Sequence, residues 1–412
     1  MITYFESLTG ANCTVGGQTI LSLSVTEDMS ADYATATAIC LAPGGPWPQG
    51  SHVETVEGGV STGLWCITEA GGRYSGRDTW RRRAGDAVYR HLPFVSYQMK
   101  RAGYQQARST ISKRYVGKDK YPPKFATRDH LEQVKEELAA RKDAGEIDGF
   151  QYRSELGSYI PVGGAKDIIN HIARWVDLPI VYRASLPCCA GLYEPVSKPA
   201  MTAIKEIASW SGADCYLDRR GRLVVYDFDE VFNRGGWMPK PRSITEMEHS
   251  ESLCEVTQVT VVGSGYGAYE IPATPGHFRP PGGNPNIPQW VEARPAQKVK
   301  GTTLKAVEET ADLPGQGVTV EQRIEINQYP INPAIAQGIA RQMLTKAYLH
   351  ANTQTLQGPA EGAQAFEPIA HKLFSVTRTL DWNGTAYRYM CTLTGTTASI
   401  PWGATASDYG WW

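Results

Sequence analysis

A change from helical to alternating spacing of apolar residues marks the middle of the chain. Ile204, Ile207 and Trp210 follow the 3.6-residue period of a helix with one buried face. Gly212 comes next, and glycine readily takes the left-handed conformation in which helices commonly end. The pattern predicts a helix that stops at this glycine.

The residues after Gly212 predict a β-hairpin. Residues 213–217 alternate between apolar and polar side chains, as a strand with two different faces does. Residues 218–221 are Asp-Arg-Arg-Gly, a composition typical of a turn, and residues 223–226 are Leu-Val-Val-Tyr, typical of a returning strand. The sequence alone does not indicate what this hairpin contacts.

The same helical signature occurs 35 residues earlier, with identical residue types at the corresponding positions. We expect the two helices to pack side by side on one sheet, with equivalent tryptophans. The predicted core residues of this pair are Ile169, Ile172, Trp175, Ile204, Ile207 and Trp210.

Other patterns divide the chain of 412 residues, which is long enough for two to four domains. Strands are predicted at 21–25, 33–39, 253–262, 374–380 and 386–394, and amphipathic helices at 129–142 and 332–351. The predicted parts are an N-terminal β domain (1–75), a basic, partly helical insertion (76–160), an α+β domain with the twin helices and hairpin (161–250), a second β domain with one helix (251–395) and an aromatic C-terminal tail (396–412).

Composition favours a fold richer in strands than in helices. The chain contains 41 Gly and 26 Pro, which suits a protein with many turns. No apolar run is long enough to span a membrane, and residues 1–10 do not have the pattern of a signal peptide. The predicted fold class is α+β, predominantly β and multidomain.

Positive charge is concentrated in one part of an otherwise balanced chain. Residues 73–124 contain 14 Lys and Arg against three Asp, whereas the whole chain has a net charge of −1. Such a segment contacts an acidic surface of another subunit, a nucleic acid, or only water. The candidate subunit or nucleic-acid contacts are Arg81, Arg82, Arg83, Arg101, Lys113 and Arg114.

Eight scattered cysteines do not form the framework of a disulfide-rich protein, and we expect reduced thiols. Cys188 and Cys189 could join Cys215 and Cys254 in a metal site. There is no C-x-x-C pair, however, so small buried hydrophobic residues are the favoured interpretation.

Motifs of common enzyme classes are absent from the sequence. It contains no G-x-S-x-G, no G-x-x-x-x-G-K-[ST] and no H-E-x-x-H. Asp227, Asp229 and Glu230 form the one candidate carboxylate group, which with 11 tryptophans leaves a peptidoglycan or other glycoside hydrolase as an alternative. We predict no catalytic residues.

The order of elements resembles the baseplate hub, or tail hub, proteins of tailed phages. The resemblance rests on the helix GAKDIINHIARW, the segment AIKEIASWSGADCYLDRRGRLVVYD, the strand that ends in VVGSGYG, the late helix and the closing hairpin. It is best over about 160–265 and looser over 330–395.

The resemblance implies a structural virion protein at the tail tip or baseplate, assembled in the bacterial cytoplasm. Such hubs are homotrimers whose β-barrel-like domains form a pseudo-sixfold ring between the hexameric tail tube and a threefold tip. The ring encloses the channel through which the tape-measure protein and DNA leave. The implied partners are further copies of the chain, a distal tail protein, the tape-measure protein and tail-tip or fibre proteins.

Two further expectations follow from the resemblance. Some similar hubs of long non-contractile tails carry an iron–sulfur cluster held by four cysteines, although the cysteine spacing here does not match a ferredoxin-like run. The aromatic residues Tyr409, Trp411 and Trp412 are expected to anchor the C-terminus in a pocket of a partner.

Overall fold

The computed structural model describes most of the chain in separate ranges. These are residues 12–29, 31–42, 45–73, 94–111, 123–228, 231, 241, 243–251, 256–265, 269–271, 277–279, 289–291, 297–299, 305–312, 319–359, 373–383 and 386–396.

The strands, in chain order, are β1 (Thr14–Val15), β2 (Gln18–Asp28), β3 (Thr35–Leu41), β4 (His52–Glu57), β5 (Val60–Arg73), β6 (Phe94–Arg101), β7 (Lys124–Thr127), β8 (Tyr159–Val162), β9 (Ile180–Arg183), β10 (Leu192–Tyr193), β11 (Ala213–Leu217), β12 (Leu223–Asp227), β13 (Glu246–Glu251), β14 (Gln258–Gly265), β15 (Tyr269–Ile271), β16 (His277–Arg279), β17 (Gln289–Val291), β18 (Gln297–Val299), β19 (Lys305–Asp312), β20 (Glu321–Ile326), β21 (Asn352–Pro359), β22 (Leu373–Trp382) and β23 (Tyr387–Gly395). The helices are α1 (Tyr104–Arg108), α2 (Arg128–Asp143), α3 (Gly149–Leu156), α4 (Ala165–Trp175), α5 (Ala200–Ser209) and α6 (Pro333–Ala351).

Six N-terminal strands form a closed antiparallel barrel. Their order is β1-β4-β5-β6-β3-β2, and β1 also pairs with β2, which closes the ring. The strands alternate between inward apolar and outward polar residues, so that small and large side chains such as Ala38, Val95 and Tyr97 fill the interior. The barrel is therefore a packed core.

The barrel sheet continues beyond β2 into an open sheet. β22 pairs with β2 along Ser22–Asp28, and β23, β21 and β13 follow in that order. We call these four strands the extension. Ten of the described strands thus belong to one sheet, and the first and last parts of the chain build it together.

The predicted twin helices and hairpin form a compact α+β unit, which we define as α4, α5, β9, β11 and β12. β12 lies between β11, its antiparallel hairpin partner, and β9, which runs parallel to it. One face, with Cys215 and Val225, packs on α4 and α5. The other face, with Tyr216 and Tyr226, packs against Met29 and residues near the extension. Because both faces are covered, every residue of β11 is buried, including the polar Asp214.

Helix α6 joins the α+β unit to a third small sheet. It begins after Asn332, whose side-chain oxygen accepts a hydrogen bond from the Ile335 amide at 2.9 Å, as an N-cap residue does. The sheet it covers has the order β19-β14-β20. Gln342 of α6 donates a hydrogen bond to the Ala213 carbonyl at 2.5 Å, which ties α6 to β11.

The predicted fold class is confirmed: the described chain is predominantly β, multidomain, and contains both a β-barrel and a helix-plus-hairpin unit. The predicted boundaries differ from the observed contacts. β6, expected inside the basic insertion, is a barrel strand paired with β3 and β5. Strands expected in the second β domain pair with the N-terminal ones. The alternation of apolar and polar residues identifies strands, but it does not show which strands pair with each other when they are far apart in the sequence.

Within the described residues, no helix is long and apolar enough to cross a membrane.

Candidate functional site: the barrel end and its joint with the α+β unit

The interior of the barrel changes from apolar to charged at one end. Leu23, Val25 and Glu27 occupy alternate positions of β2, so all three side chains lie on its inner face. Leu23 and Val25 belong to the apolar barrel core, and Glu27 is only 5% exposed. A carboxylate buried to this degree requires compensating charge.

Two arginines supply that charge. Arg101, at the end of β6, is 1% exposed and forms an ion pair with Glu27. Its guanidinium group also stacks on the Trp65 ring, 3.9 Å from the ring centre. Arg219 donates to both carboxylate oxygens of Glu27, with Nε–Oε1 and Nη2–Oε2 distances of 3.3 and 3.1 Å. Glu27 is thus held between a barrel arginine and an arginine of the hairpin turn.

The electrostatics of this cluster keep Glu27 ionised. Burial alone would raise the pKa of its carboxyl group, but the positive charges of Arg101, Arg219 and Arg378 outweigh that effect and place the pKa below its ordinary value of 4.5. Burial lowers the pKa of Arg101 to about 10, so its guanidinium group stays charged at neutral pH. The cluster is therefore ionic under ordinary conditions.

The turn between β11 and β12 lies directly on the barrel end. The Leu64 amide donates a hydrogen bond to the Arg219 carbonyl at 2.8 Å. Gly221 has a φ of +74°, and a β-carbon there would lie 2.7 Å from the Ala102 carbonyl oxygen. A β-carbon on Gly103 would lie equally close to the Gly221 carbonyl oxygen. The two backbones approach so closely that only glycine fits at these positions.

Asp218 shapes the same turn from within. One of its carboxylate oxygens accepts hydrogen bonds from the Arg220 and Arg222 amides at 2.9 and 2.8 Å. The other oxygen forms an ion pair with the Arg222 guanidinium group at 2.7 Å. Asp218 therefore holds the Asp-Arg-Arg-Gly turn together, and Arg219 of this turn binds Glu27. We call the contact of this turn with the barrel end the joint.

A second buried ion pair fastens the extension to the barrel. Arg378 of β22 pairs with Glu57 of β4, and both side chains are almost completely buried. Thr62 also donates to a Glu57 carboxylate oxygen at 2.8 Å. β1 closes the barrel between β4 and β2 but contains only two residues. The ion pair joins β4 to β22, the neighbour of β2, and so adds a side-chain link across this short closure.

An aromatic cluster holds helix α5 against the start of α6. The Trp210 indole is completely buried and donates a hydrogen bond to the Tyr329 hydroxyl at 2.9 Å. The Tyr193 ring lies edge-on to Trp210, and its hydroxyl donates to Glu206 at 2.6 Å. Lys198 pairs with the same carboxylate at 2.5 Å. Every polar atom named here has a partner, so the cluster is a fixed part of the core.

The six residues predicted to form the core of the twin helices do not all have equivalent places. The four isoleucines and Trp210 are buried, whereas Trp175 is half-buried and stacks on Phe125 at 5.4 Å. The expected equivalence of the two tryptophans is therefore wrong. Trp210 follows the last turn of its helix and contacts residues near α6, while Trp175 is the last residue of α4.

Three of the four cysteines of the candidate metal site lie within the described residues. Cys188 and Cys189 are half-buried and Cys215 is buried, where its thiol contacts the Met201 sulfur at 3.7 Å. Burial raises the pKa of all three thiols, to about 11 for Cys188 and about 12 for Cys189. Cys254 lies outside the described residues, and among those described no group of His, Cys, Asp and Glu could hold a metal ion.

One predicted contact residue requires correction. Arg101 was expected on a subunit or nucleic-acid surface, but it lies inside the barrel because Glu27 and Trp65 satisfy its charge there. The other predicted contacts lie outside the described residues: Arg81, Arg82, Arg83, Lys113, Arg114, Tyr409, Trp411 and Trp412. Of the carboxylate group, Asp227 ends β12 and is half-buried, and Asp229 and Glu230 are outside the described residues.

The residues of the joint were not predicted, although part of the signal is present in the sequence. Leu23, Val25 and Glu27 share one strand parity, so a charged residue at an inward position was visible there. Its partners Arg101 and Arg219 are 74 and 192 residues away, and nothing local connects them.

Comparison of sequences gives no relatives: no protein-family model matches the chain, and no curated protein does.

Comparison of structures gives full-length matches. The chain is similar to a tail protein from Neisseria meningitidis MC58, with a TM-score of 0.52, 12% identity, and coverage of 97% of this chain and 99% of that one. It is also similar to the 43 kDa tail protein of prophage MuSo2 from Shewanella oneidensis, with a TM-score of 0.52, 8% identity, and coverage of 93% and 97%. The chain therefore has the fold of phage tail proteins, and the resemblance predicted from the sequence is confirmed at the level of fold.

Proposed function

We propose that this protein is the structural hub of a phage tail, located in the virion at the tail tip or baseplate. In this proposal the chain forms a homotrimer that adapts the hexameric tail tube to a threefold tip. It encloses the exit channel for the tape-measure protein and DNA, and contacts a distal tail protein and tail-tip or fibre proteins. It has no catalytic role of its own.

The observation that carries the proposal is the match to two tail proteins over nearly the whole length of all three chains. Because the sequence identities are only 12% and 8%, the match supports the fold, and the role as a hub is our inference from that fold. The joint adds a physical argument. It fixes the α+β unit to the barrel end through ionic and backbone contacts, and a rigid connection of this kind suits an adaptor between two parts of a tail.

The mass of the purified particle tests the proposal. Light scattering behind a sizing column should give three chains of 45.2 kDa, or about 136 kDa. Negative-stain images of the same fraction should show threefold rings with a central channel. A species that stays at 45.2 kDa at every concentration would contradict the homotrimer. Clearing of peptidoglycan in a zymogram would contradict the absence of catalysis and favour a tail-associated hydrolase.

A further inference from the structure

Four buried N–H groups inside the barrel end have no hydrogen-bond acceptor among the described residues. They belong to Nε and Nη1 of Arg101 and to Nε and Nη2 of Arg378. The third nitrogen of each guanidinium group is paired, because Arg101 Nη2 donates to Glu27 and Arg378 Nη1 donates to Glu57. Burying an N–H group without an acceptor costs free energy, and the cost is larger when the group is charged. A further acceptor inside the barrel would therefore stabilise both arginines.

The unpaired side of Arg378 has the geometry that binds anions. The Nε–H and Nη2–H bonds of a guanidinium group run parallel, so together they bind one anion with two hydrogen bonds. Arg378 lies directly opposite Val25 of β2, and Val25 belongs to the apolar barrel core. Residues opposite each other in an antiparallel pair project to the same face of the sheet. These two donors therefore lie inside the barrel end, where Arg378 is only 6% exposed.

The two arginines lie within electrostatic reach of each other. Burial has the largest effect in lowering the pKa of Arg101, the charge of Glu27 opposes it, and the positive charge of Arg378 lowers this pKa further. Two positive charges that interact inside a protein repel each other, and a negative charge near both removes that repulsion. A counter-charge shared by the two guanidinium groups would therefore stabilise the barrel end.

The cluster also carries more positive than negative charge. Its ion-paired side chains are Arg101, Arg219 and Arg378 on the positive side and Glu27 and Glu57 on the negative side. The neighbouring Asp218 and Arg222 pair with each other and add no net charge. Three positive charges thus face two negative ones, since Glu27 is shared between two arginines. One further negative charge would balance the cluster.

We propose that a small monovalent anion of the size of chloride binds inside the barrel end between Arg378 and Arg101. It accepts hydrogen bonds from Nε and Nη2 of Arg378 and from an unpaired N–H group of Arg101, and its single charge balances the cluster. A water molecule would accept the same hydrogen bonds but leave the excess charge uncompensated. The anion connects β6 to β22 within one chain, so the site exists whether or not the chain forms a trimer.

Chloride-dependent melting tests the proposal in the full-length chain. An anion that binds only the folded state raises the melting temperature according to its concentration relative to its dissociation constant. Replacing sodium gluconate, whose anion is too large for a buried site, with sodium chloride should raise the melting temperature by about 1–3 °C. The total salt concentration is kept constant, so that the screening of exposed ion pairs does not change.

The variant Arg378→Lys separates this site from general effects of salt. Lysine keeps the positive charge that pairs with Glu57 but has no parallel N–H bonds. We expect it to weaken chloride binding at least about tenfold, so that the rise in melting temperature needs a correspondingly higher chloride concentration. Arg388→Lys is the matched control, because Arg388 is exposed on the neighbouring strand β23. It should have the chloride dependence of the wild type.

Bromide locates the anion directly and needs no variant. Crystals of the wild type grown in sodium bromide should show an anomalous-scattering peak within hydrogen-bond distance of Nε and Nη2 of Arg378. Bromide has the same charge as chloride and a similar size, so it reports on the same site.

Three results would overturn the inference. Equal chloride dependence of the wild type and Arg378→Lys would exclude Arg378 from the site. Density for a water molecule at the two arginines, with no bromide peak, would show that a neutral ligand satisfies the donors. A bromide peak without a chloride-dependent rise in melting temperature would indicate an adventitious ion only, bound at crystal concentration.

Discussion

Replacing Glu27 with glutamine removes the negative charge that two arginines share inside the barrel end. Arg101 is too deeply buried to regain water, so Glu27→Gln should lower the free energy of unfolding by about 3–5 kcal/mol. The double variant Glu27→Leu/Arg101→Met removes the deeply buried ion pair as a whole and takes Glu27 only from Arg219, which is partly exposed, so it should lose less than Glu27→Gln. Urea unfolding of the full chain measures both. An equal loss in the two proteins would contradict this account.

Acid provides an independent test of the same residue. The pKa of Glu27 is held below 4.5 in the folded chain, so its contribution to stability is complete above about pH 4.5 and is lost as the pH falls through the lower folded value. The difference in melting temperature between the wild type and Glu27→Gln should therefore shrink on acidification from about pH 6 to about pH 3. A difference that stays constant would exclude Glu27 as the titrating group.

At the scale of elements, the crossing of α6 over the end of α5 depends on one glycine. A β-carbon on Gly338 would overlap the Trp210 carbonyl oxygen, so the helices meet backbone to backbone. Gly338→Ala should destabilise the protein by about 1–3 kcal/mol, although alanine is the better helix former.

Gly149→Ala is the matched control for this helix crossing. Gly149 is also helical, but a β-carbon there meets nothing within 4 Å. Thermal unfolding of the two variants should show a lower melting temperature for Gly338→Ala only. Equal melting temperatures would show that the helices can separate without cost.

Local elements were predictable because their signals lie within a few residues. The helix, hairpin and turn around Gly212 appear in the structure where the spacing predicted them, and Gly212 has the left-handed φ of +75°. What the turn contacts was not predictable. The turn contacts the barrel through the close approach of Gly221 to Ala102. This approach depends on tertiary packing and gives no periodic pattern in the sequence.

At the scale of the whole molecule, the barrel needs the end of the chain. A fragment of residues 1–111 lacks β22, so β2 loses a partner strand and Glu57 loses Arg378. We expect this fragment to be unfolded or insoluble, because a buried carboxylate and an open sheet edge remain. Fusing residues 373–396 to it through a flexible linker should restore a cooperative thermal transition. A folded, monomeric fragment without that addition would contradict the dependence.

The long-range strand pairing also explains why the sequence did not predict which strands belong to the same sheet. Alternation identified the strands at 21–25 and 374–380, yet assigned them to different domains. A period of two specifies which face is buried but not which strand lies alongside. The same limit applies to the joint, because Glu27 and Arg219 are recognisable as partners only after the fold brings them together.

The pairing of β2 with β22 has a consequence for synthesis of the protein. Ser22–Asp28 is translated about 350 residues before its partner strand, a delay of roughly 20–70 s at 5–20 residues per second. Throughout this time the growing chain carries an incomplete sheet edge that can pair with neighbouring nascent chains. Slower elongation would prolong that exposure, so the yield of native protein should depend on the speed of the ribosome and on chaperones that shield the unfinished edge.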